Sequence, residues 1–470
     1  MLSYVSTRGK APRLGFAGAT LAGLATDGGL YVPESCPKLS EAEIGNMNSQ
    51  KYLEVAWRVI LPFVSDDLPS EKLIELLRAA YKGFSNKEIA PLRKLDENFH
   101  VLELFHGPTL AFKDVALQFL GQIFSYFLEQ KKLRTTIVGA TSGDTGSAAI
   151  EAFRGKSNVD IFILHPHNRV SEVQRRQMTT VTDSNVHNIA IEGSFDDCQD
   201  LVKAMFNDMK FRNEVQLSAV NSINWARILA QVVYYVYAGA RLFHETDRKV
   251  VFSVPTGNFG NVYAGYIAHS MGLPIERLLV ATNRNDILHR FFTTGRMKME
   301  PSVASLSPSM DIQVSSNFER LLFDLFGRHG DAVNQTMEHF RKPAAYHLEE
   351  PAMKPVRELF ASGAVSDENT LKTIRDIHEK YGYVVDPHTA IGLAIAQKYR
   401  DAYQDSVIVS LATAHPAKFP DAVNQAIGVT PELPPHLADL MTRDEKFTVL
   451  PKDLGWVQNF VRQGVKGKLG

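Results

Sequence analysis

The sequence predicts an α/β fold built on parallel sheets. From Asn98 onward, short apolar segments alternate with segments whose apolar residues recur at helical spacing. A repeated strand-then-helix order implies parallel strands joined by right-handed crossover connections. Several of the apolar segments run into loops rich in glycine and hydroxylated residues, where a helix begins. Strands are expected at residues 161–164, 187–191, 277–281 and 406–411.

The segment before this alternating pattern is expected to form an accessory domain. Residues 1–95 read as mainly helical after an extended start, and Pro62, Pro69 and Pro91 punctuate the helices. The chain has 470 residues, and that length alone suggests roughly three domains.

A single lysine, Lys113, stands between a Gly-Pro turn and a predicted helix. Apolar residues recur at three- and four-residue spacing from Ala116 to Phe127, which indicates one buried helix face. The helix dipole and the apolar neighbours both disfavour an ammonium at the helix start and should lower the pKa of the lysine. A neutral amine can form a Schiff base with an aldehyde cofactor and then act as a general base. The alternative is a surface lysine that reaches solvent from a helix start.

The segment from Thr135 to Phe153 reads as a strand, a loop and a helix. The loop supplies hydroxyl groups and backbone amides at a helix N-terminus, where an anion can bind. An ordinary capped turn is the alternative, because serine, threonine and aspartate favour such turns. The loop residues are Thr141, Ser142, Gly143, Asp144 and Thr145.

A second strand, from Val250 to Val254, leads into a glycine-containing loop before a helix. Two glycines let the backbone close around a phosphate group. No lysine follows as in a P-loop, and the spacing is not the dinucleotide fingerprint, so a single compact phosphate fits better. A plain turn between strand and helix is the alternative. The loop consists of Gly257, Asn258, Phe259, Gly260 and Asn261.

The apolar run at residues 406–411 delivers Thr413, His415 and Lys418 just past its end. Open α/β sheets bind ligands at the carboxyl ends of their strands. The Thr413 hydroxyl can hydrogen-bond a neutral ring nitrogen, whereas a carboxylate would keep that nitrogen protonated. Three such strand-ended loops together with one helix-start lysine would coincide by chance far more rarely than any one of them alone.

The composition fits a metabolic enzyme. With 44% apolar residues and a net charge of −1, the chain can bury a large core and has no field that would attract nucleic acid. Cys36 and Cys198 lie in no zinc-type or disulfide-type spacing. The start of the sequence shows no signal-peptide pattern, and the apolar helix around residues 228–239 is too short to span a bilayer. We therefore expect a cytoplasmic protein.

Motifs spread over nearly the whole chain resemble those of the threonine synthases. This family belongs to the fold-type II pyridoxal-phosphate enzymes, with tryptophan synthase β and serine dehydratase. The chain length and the YVSTRG opening resemble the longer bacterial and fungal branch of the family. The motifs are YVSTRG, LATDGGLYVP, HGPTLAFKD, GATSGDTGSAA, QRRQMTT, NSINWARI, PTGNFGN and TAHPAKFP.

The resemblance implies two parallel-sheet domains and an N-terminal, mostly helical domain. The accessory domain would comprise residues 1–95. The large cofactor-binding domain would comprise residues 96–129 and 213–428. A smaller inserted α/β domain would span residues 130–212, and residues 429–470 would form a C-terminal cap.

The resemblance also implies roles in cofactor binding. Lys113 would form the Schiff base with pyridoxal phosphate, and Thr413 would face the pyridine nitrogen. The loop around Asp144 would approach the cofactor hydroxyl and the amino-acid carboxylate, with Asp144 itself assigned to the cofactor. Many fold-type II relatives carry asparagine at that position, so the contact made by Asp144 stays open. The cofactor phosphate would be held by Gly257, Asn258, Phe259, Gly260 and Asn261.

The substrate implied by the resemblance is O-phospho-L-homoserine. Arginine suits its phosphate because the guanidinium fork forms paired, charge-assisted hydrogen bonds. The alternative is that Arg227 is a solvated helix residue. Of Arg175 and Arg176, at most one is expected to face the site, because neighbouring helical residues point about 100° apart. The residues assigned to the substrate are Thr141, Ser142, Thr145, Asn221, Asn224 and Arg227.

The implied reaction converts O-phospho-L-homoserine and water to L-threonine and phosphate. Lys113 would remove an α proton and then a β proton, phosphate would leave the γ carbon, and water would add to the β carbon. No nucleic-acid or membrane partner is expected, and monomer and homodimer stay open.

Two other functional classes stay open. A fold-type II dehydratase or sulfhydrylase would share Lys113 and the glycine loop but would not need Asn221 and Arg227. A catalytically silent relative would not need Lys113, the complete glycine loop and Thr413 together.

Overall fold

A computed structural model of the chain describes residues 2–218, 221–341 and 345–466. By their internal contacts, the residues form two compact units. Unit 1 comprises Met1–Gly107 and Ser222–Pro431, and unit 2 comprises Pro108–Asn221 and Glu432–Gly470.

The N-terminal part of unit 1 is mainly helical after an extended start, as the sequence predicts. Pro62 lies inside a helix instead of ending it, two residues before the last residue of that helix, and it cannot donate the backbone hydrogen bond that another residue would make there. The elements are β1 (Tyr4–Ser6), α1 (Phe16–Ala22), β2 (Tyr31–Pro33), α2 (Glu41–Met47), α3 (Tyr52–Val64), α4 (Ser70–Tyr81), β3 (Leu92–Asp96) and β4 (Phe99–Glu103).

The chain then enters unit 2, where helices and strands alternate. The strands expected at residues 161–164 and 187–191 are confirmed. The elements are α5 (Lys113–Gln130), β5 (Thr135–Ala140), α6 (Asp144–Phe153), β6 (Val159–Pro166), α7 (Glu172–Thr179), β7 (Val186–Glu192), α8 (Phe195–Asn207), α9 (Met209–Glu214) and β8 (Leu217–Ser218).

The chain returns to unit 1 with a long buried helix and a further α/β alternation. The elements are α10 (Trp225–Thr246), β9 (Val250–Pro255), α11 (Gly260–Met271), β10 (Ile275–Thr282), α12 (Ile287–Thr294), β11 (Arg296–Lys298), α13 (Phe318–Leu325), α14 (Gly330–Arg341), β12 (Ala345–His347), α15 (Glu350–Leu359), β13 (Phe360–Ala364), α16 (Asp367–Tyr381), α17 (Pro387–Tyr399), β14 (Val407–Ala412) and α18 (Pro420–Ile427). The C-terminal segment adds β15 (Thr448–Pro451) and α19 (Leu454–Lys466) to unit 2.

The main sheet of unit 1 has the strand order β13-β10-β9-β14-β4-β3. Its strands pair in parallel, except that β3 is antiparallel to β4. Strand β9 is buried along its whole length, as expected for a parallel strand covered on both faces. Because β14 pairs with β9 and sets Ser410 opposite Ser253, the loops that follow both strands leave the same edge of the sheet.

The sheet of unit 2 has the strand order β15-β7-β6-β5-β8, and all of its strands pair in parallel. Phe162, Ile189 and Phe211 lie in its apolar core, and each such side chain stabilises the fold by roughly 1.5–3 kcal/mol. The predicted α/β class with parallel sheets is confirmed.

Two segments lie in a different unit from the one that the expected domain boundaries imply. Helix α5 and the C-terminal segment both belong to unit 2. Helix α5 packs against α6, and Gly121 permits this because a side chain there would overlap the carbonyl of Ala152. Strand β15 pairs with β7, so the expected cap at residues 429–470 contributes largely to unit 2. Residues 467–470 of that cap lie outside the described residues.

The N-terminal segment packs within unit 1, where α3 contacts α10. Among the helices that the structure describes, none is long and apolar enough to cross a membrane.

Candidate active site

Lys113 is the first residue of α5, as predicted from the helical spacing that follows it. Its side chain is 11% exposed, and its Nζ donates a hydrogen bond to Asp144 Oδ2 at 3.3 Å. The preceding turn is fixed by Asp114, which accepts hydrogen bonds from the Thr109 backbone N–H at 2.8 Å and from its hydroxyl at 2.6 Å. The lysine therefore projects from a rigid helix start.

Asp144 is the first residue of α6 and is buried. Its Oδ1 accepts a hydrogen bond from Gln174 Nε2 at 2.8 Å, so Gln174, Asp144 and Lys113 form one connected chain of side chains. The sequence predicts surroundings that favour a neutral amine. The structure adds the Asp144 carboxylate at hydrogen-bond distance from that amine.

Gln174 was missed in the sequence analysis. The only sequence feature that points to Gln174 is its place in the QRRQMTT motif, in which the two adjacent arginines are the more obvious candidates for an anion site. The long separation between Gln174 and Asp144 explains why helical or strand periodicity could not connect them.

The loop before α6 is held by its own hydrogen bonds. Thr141 Oγ1 accepts from the backbone N–H groups of Gly143 and Gly146, both at 2.9 Å. Gly143 has a φ of 145°, and an added Cβ would approach the Gln174 side chain to 2.6 Å. Ser142 is exposed and Thr145 is half-buried. The loop is thus a rigid turn that presents hydroxyl groups.

The glycine loop in unit 1 depends on Gly257 and on the backbone conformation of Phe259. A Cβ on Gly257 would lie 2.9 Å from the Ser309 carbonyl oxygen. Phe259 adopts the left-handed conformation with φ 59°, and its buried ring contacts Phe318 at 5.1 Å and Phe360 at 6.1 Å between centroids. Ring packing therefore holds a backbone conformation that a non-glycine residue rarely adopts.

Helix α11 begins at Gly260, so the loop ends in a helix N-terminus, whose first amide groups have no partner within the helix itself. Asn261 in its first turn accepts hydrogen bonds from Tyr234 at 2.6 Å and Tyr235 at 2.9 Å. The other end of its amide, Nδ2, is buried and has no hydrogen-bond partner among the described residues. A helix dipole together with a buried free donor fits a phosphate group.

Thr413 follows β14 directly and is buried. Its backbone N–H donates to Thr389 Oγ1 at 3.2 Å, and the Thr389 hydroxyl in turn donates to Asp386. Since β9 and β14 are neighbours, Thr413 and the glycine loop lie at the same edge of the main sheet.

The nearby histidines serve packing and hydrogen bonding. His106 Nε2 lies 2.7 Å from Glu103 Oε2, and the His415 ring meets Phe105 edge-on at 5.4 Å.

Arg227 lies in the first turn of α10 and is only 4% exposed. Burial lowers the pKa of its guanidinium to about 10. Its Nε and Nη1 have no hydrogen-bond partner among the residues that the structure describes. The alternative of a solvated helix residue is therefore wrong, because the side chain is almost entirely buried.

Asn224 caps the same helix. Its Oδ1 accepts from the Ala226 N–H at 3.0 Å, and its Nδ2 donates to the Thr20 carbonyl at 2.8 Å. Both ends of its amide thus stabilise the fold around the helix start. Asn221 is half-buried and belongs to unit 2.

Arg175 and Arg176 both pair with Glu445 in the C-terminal segment of unit 2. Arg175 donates to its two oxygens at 2.8 and 2.9 Å, and Arg176 lies 3.6 Å away. The hydrogen bond from Arg175 holds the pKa of Glu445 below its usual value.

Three family models together match most of the chain. Residues 3–81 match "Threonine synthase N terminus", residues 87–342 match "Pyridoxal-phosphate dependent enzyme" and residues 389–461 match "Threonine synthase, C-terminal". A threonine synthase of Pseudomonas aeruginosa is 55% identical over 99% of this chain and 100% of its own length. The chain belongs to the threonine synthase family.

Solved structures of threonine synthases share the fold over the whole chain. The pyridoxal-phosphate-bound threonine synthase of Brucella melitensis has 52% identity and a TM-score of 0.96, and it covers 99% of this chain and 100% of its own. The yeast threonine synthase has 40% identity and a TM-score of 0.94, with 99% of each chain covered. The resemblance to the threonine synthases and the fold-type II class are confirmed.

Proposed function

We propose that this chain catalyses the threonine synthase reaction, in which O-phospho-L-homoserine and water give L-threonine and phosphate. The enzyme would be a carbon–oxygen lyase that acts on a phosphate ester, with pyridoxal phosphate as cofactor. The observation that carries the proposal is the full-length match at 55% identity to a threonine synthase. The buried Arg227, with donors that no described residue uses, supports a phosphate-bearing substrate.

Pyridoxal phosphate supplies an electron sink that stabilises negative charge on the substrate carbons next to the amino group. Lys113 is the residue that would hold its aldehyde carbon. The loop from Gly257 to Asn261 and the start of α11 would hold its phosphate. Thr413 would donate to, or accept from, the ring nitrogen without forcing it to stay protonated.

Lys113 would also move the protons. Its Nζ would take the α proton from the substrate as a general base, pass that proton on, and then, again as a free amine, take a β proton. Asp144 Oδ2, 3.3 Å away, orients the amine and stabilises it after it has gained a proton. Gln174 holds the other carboxylate oxygen of Asp144, which fixes the direction of that contact.

Arg227 would bind the substrate phosphate through charge-assisted hydrogen bonds. Asn221 would bind the same phosphate. Asn224 is also predicted to bind it, but both ends of its amide already form hydrogen bonds within the fold. The substrate carboxylate would be met by the loop before α6, with Thr141, Ser142 and Thr145 as its polar residues.

Product analysis tests the proposal. Pure protein is incubated with O-phospho-L-homoserine, and in parallel with serine and with threonine. The proposal predicts equal amounts of phosphate and L-threonine from the first substrate. Formation of 2-oxobutanoate from threonine, with no turnover of O-phospho-L-homoserine, would identify a dehydratase instead. No reaction with any of them would favour a catalytically silent relative.

Two further points stay predictions. The compartment is the cytoplasm, and the assembly is a monomer or a homodimer.

A further inference from the structure

Asn317, immediately before α13, is completely buried and has no role in the proposals above. Its Nδ2 donates to the Asn258 carbonyl of the glycine loop at 3.0 Å and to the Ser222 carbonyl at 3.2 Å, before α10. Its backbone N–H also donates to the Asn258 carbonyl, at 3.1 Å. One side chain thus joins two segments that carry proposed phosphate-binding residues.

Arg320 fixes which way the Asn317 amide points. Arg320 is fully buried, donates to the Tyr31 carbonyl at 2.9 Å and to the Ile223 carbonyl at 2.5 Å, and also donates to Asn317 Oδ1. A guanidinium has only donors, so Asn317 must present its oxygen to Arg320. The NH₂ end of the amide therefore faces the two carbonyl groups.

The residues just before Asn317 support the same loop. Ser315 Oγ donates to the Gly257 carbonyl at 2.8 Å, and Ser316 Oγ donates to Asn258 Oδ1 at 3.3 Å. A Cβ on Gly260 would lie only 3.1 Å from Asn317 Nδ2. We call residues 315–317 the platform of the glycine loop.

The platform controls the direction of the loop amides. In a planar trans peptide the C=O and N–H groups point in opposite directions. When the carbonyls of Gly257 and Asn258 point at the platform, the N–H groups of Asn258 and Phe259 must point away from it. Those are backbone donors in the loop to which we assign the cofactor phosphate, so the platform orients them before any anion binds.

We propose that Asn317, held in place by Arg320, is a positioning residue that sets the phosphate-binding conformation of the glycine loop. This inference rests on the proposed assignment of the loop Gly257–Asn261 to the cofactor phosphate. Asn317 acts through the backbone carbonyl of Asn258 and not by contact with the reacting atoms.

The test compares two ligands that differ in the phosphate. Apo-protein is titrated with pyridoxal phosphate and separately with pyridoxal, and Schiff-base absorbance is followed. For Asn317→Ala, we expect pyridoxal phosphate to bind about 10-fold more weakly or worse, because a buried carbonyl loses its donor and the loop relaxes. Binding of pyridoxal should not change. Asn317→Asp keeps an acceptor for Arg320 but removes the NH₂ donor. It should therefore also weaken binding of pyridoxal phosphate without changing binding of pyridoxal, and it tests the inference if the alanine variant does not fold.

Asn185→Ala in unit 2 is the matched control. Asn185 is also a buried asparagine that donates to main-chain carbonyls, those of Phe153 at 2.8 Å and Val159 at 2.9 Å. Its replacement should lower thermal stability without changing the ratio of the two affinities. An equal loss of both ligands in the Asn317 variants, or no loss of either, would overturn the inference.

A variant of the glycine loop itself distinguishes the positioning role of Asn317 from the assignment of the loop to the cofactor phosphate. Gly257→Val should weaken pyridoxal phosphate binding, because its Cβ would approach the Ser309 carbonyl to 2.9 Å. If Gly257→Val keeps full affinity, the assignment of the loop to the phosphate fails, and the inference with it. If Gly257→Val loses affinity while the Asn317 variants keep it, only the positioning role fails.

Discussion

Replacement of Arg227 by methionine should raise the stability of the protein and weaken substrate binding. Burial lowers the pKa of Arg227 to about 10, well below the usual guanidinium value. Each pKa unit corresponds to ~1.4 kcal/mol, so at neutral pH the buried charge costs the folded state about 3 kcal/mol. Methionine fills a similar volume without a charge, and we expect the free energy of unfolding to rise by about 1–3 kcal/mol.

The same change should impair the reaction with O-phospho-L-homoserine. Two charge-assisted hydrogen bonds to the substrate phosphate contribute roughly 1.5–3 kcal/mol each. Their loss should lower kcat/KM by about 10²–10⁴-fold, mainly through a higher KM. Phosphate release gives the kinetics, and urea unfolding of the apo-protein gives the stability.

Arg241→Met is the matched control on the same helix. Arg241 donates to the Gln50 carbonyl at 3.2 Å and lies 4.0 Å over the Tyr237 ring, away from the helix start. This variant should lose a little stability and keep normal kinetics. The reasoning about Arg227 is refuted if Arg227→Met is less stable than the wild type or if its KM is unchanged.

Three other predictions follow from named contacts. Gln174→Ala should lower kcat by about tenfold with little change in KM, because the carboxylate of Asp144 loses a buried donor; a kcat equal to wild type would exclude a role for Gln174. Glu445→Gln should lower the Tm at neutral pH, because a carboxyl group with a lowered pKa in the folded state stabilises the fold at pH values above its usual pKa of ~4.3. The difference in Tm between the variant and the wild type should vanish as the pH falls through the lowered pKa. A difference in Tm that does not depend on pH would contradict this prediction. Lys113→Ala should fold normally but lose turnover, and substantial residual turnover would remove Lys113 as the base.

Local sequence patterns predicted much of the framework of the candidate site. Helical spacing after Asp114 placed Lys113 at a helix start, and apolar runs located β9 and β14 with the loops that follow them. These features depend on neighbours within a few residues, so periodicity and turn composition are sufficient to find them.

Contacts between distant segments could not be predicted in the same way. The link from Gln174 to Asp144 and the link from Asn317 to Asn258 join residues that are far apart in the sequence. The burial of Arg227 is also a tertiary property, because an arginine in a helix is usually exposed. Such features need the packed structure.

The unit to which helix α5 belongs could not be predicted from local sequence patterns either. The resemblance assigns residues 96–129 to the large domain, whereas close packing of α5 on α6 at Gly121 places the helix in unit 2. The signal is a glycine within a helix, and its meaning appears only when the neighbouring backbone is known.

The central claim is that Lys113 carries the cofactor, and borohydride reduction tests it most directly. The protein is loaded with pyridoxal phosphate, reduced and digested, and the modified lysine is identified by mass spectrometry. The account predicts a phosphopyridoxyl group on Lys113 and no such group at that position in Lys113→Ala. A label on the buried Lys418 instead, or no label on any lysine of the wild type, would contradict it.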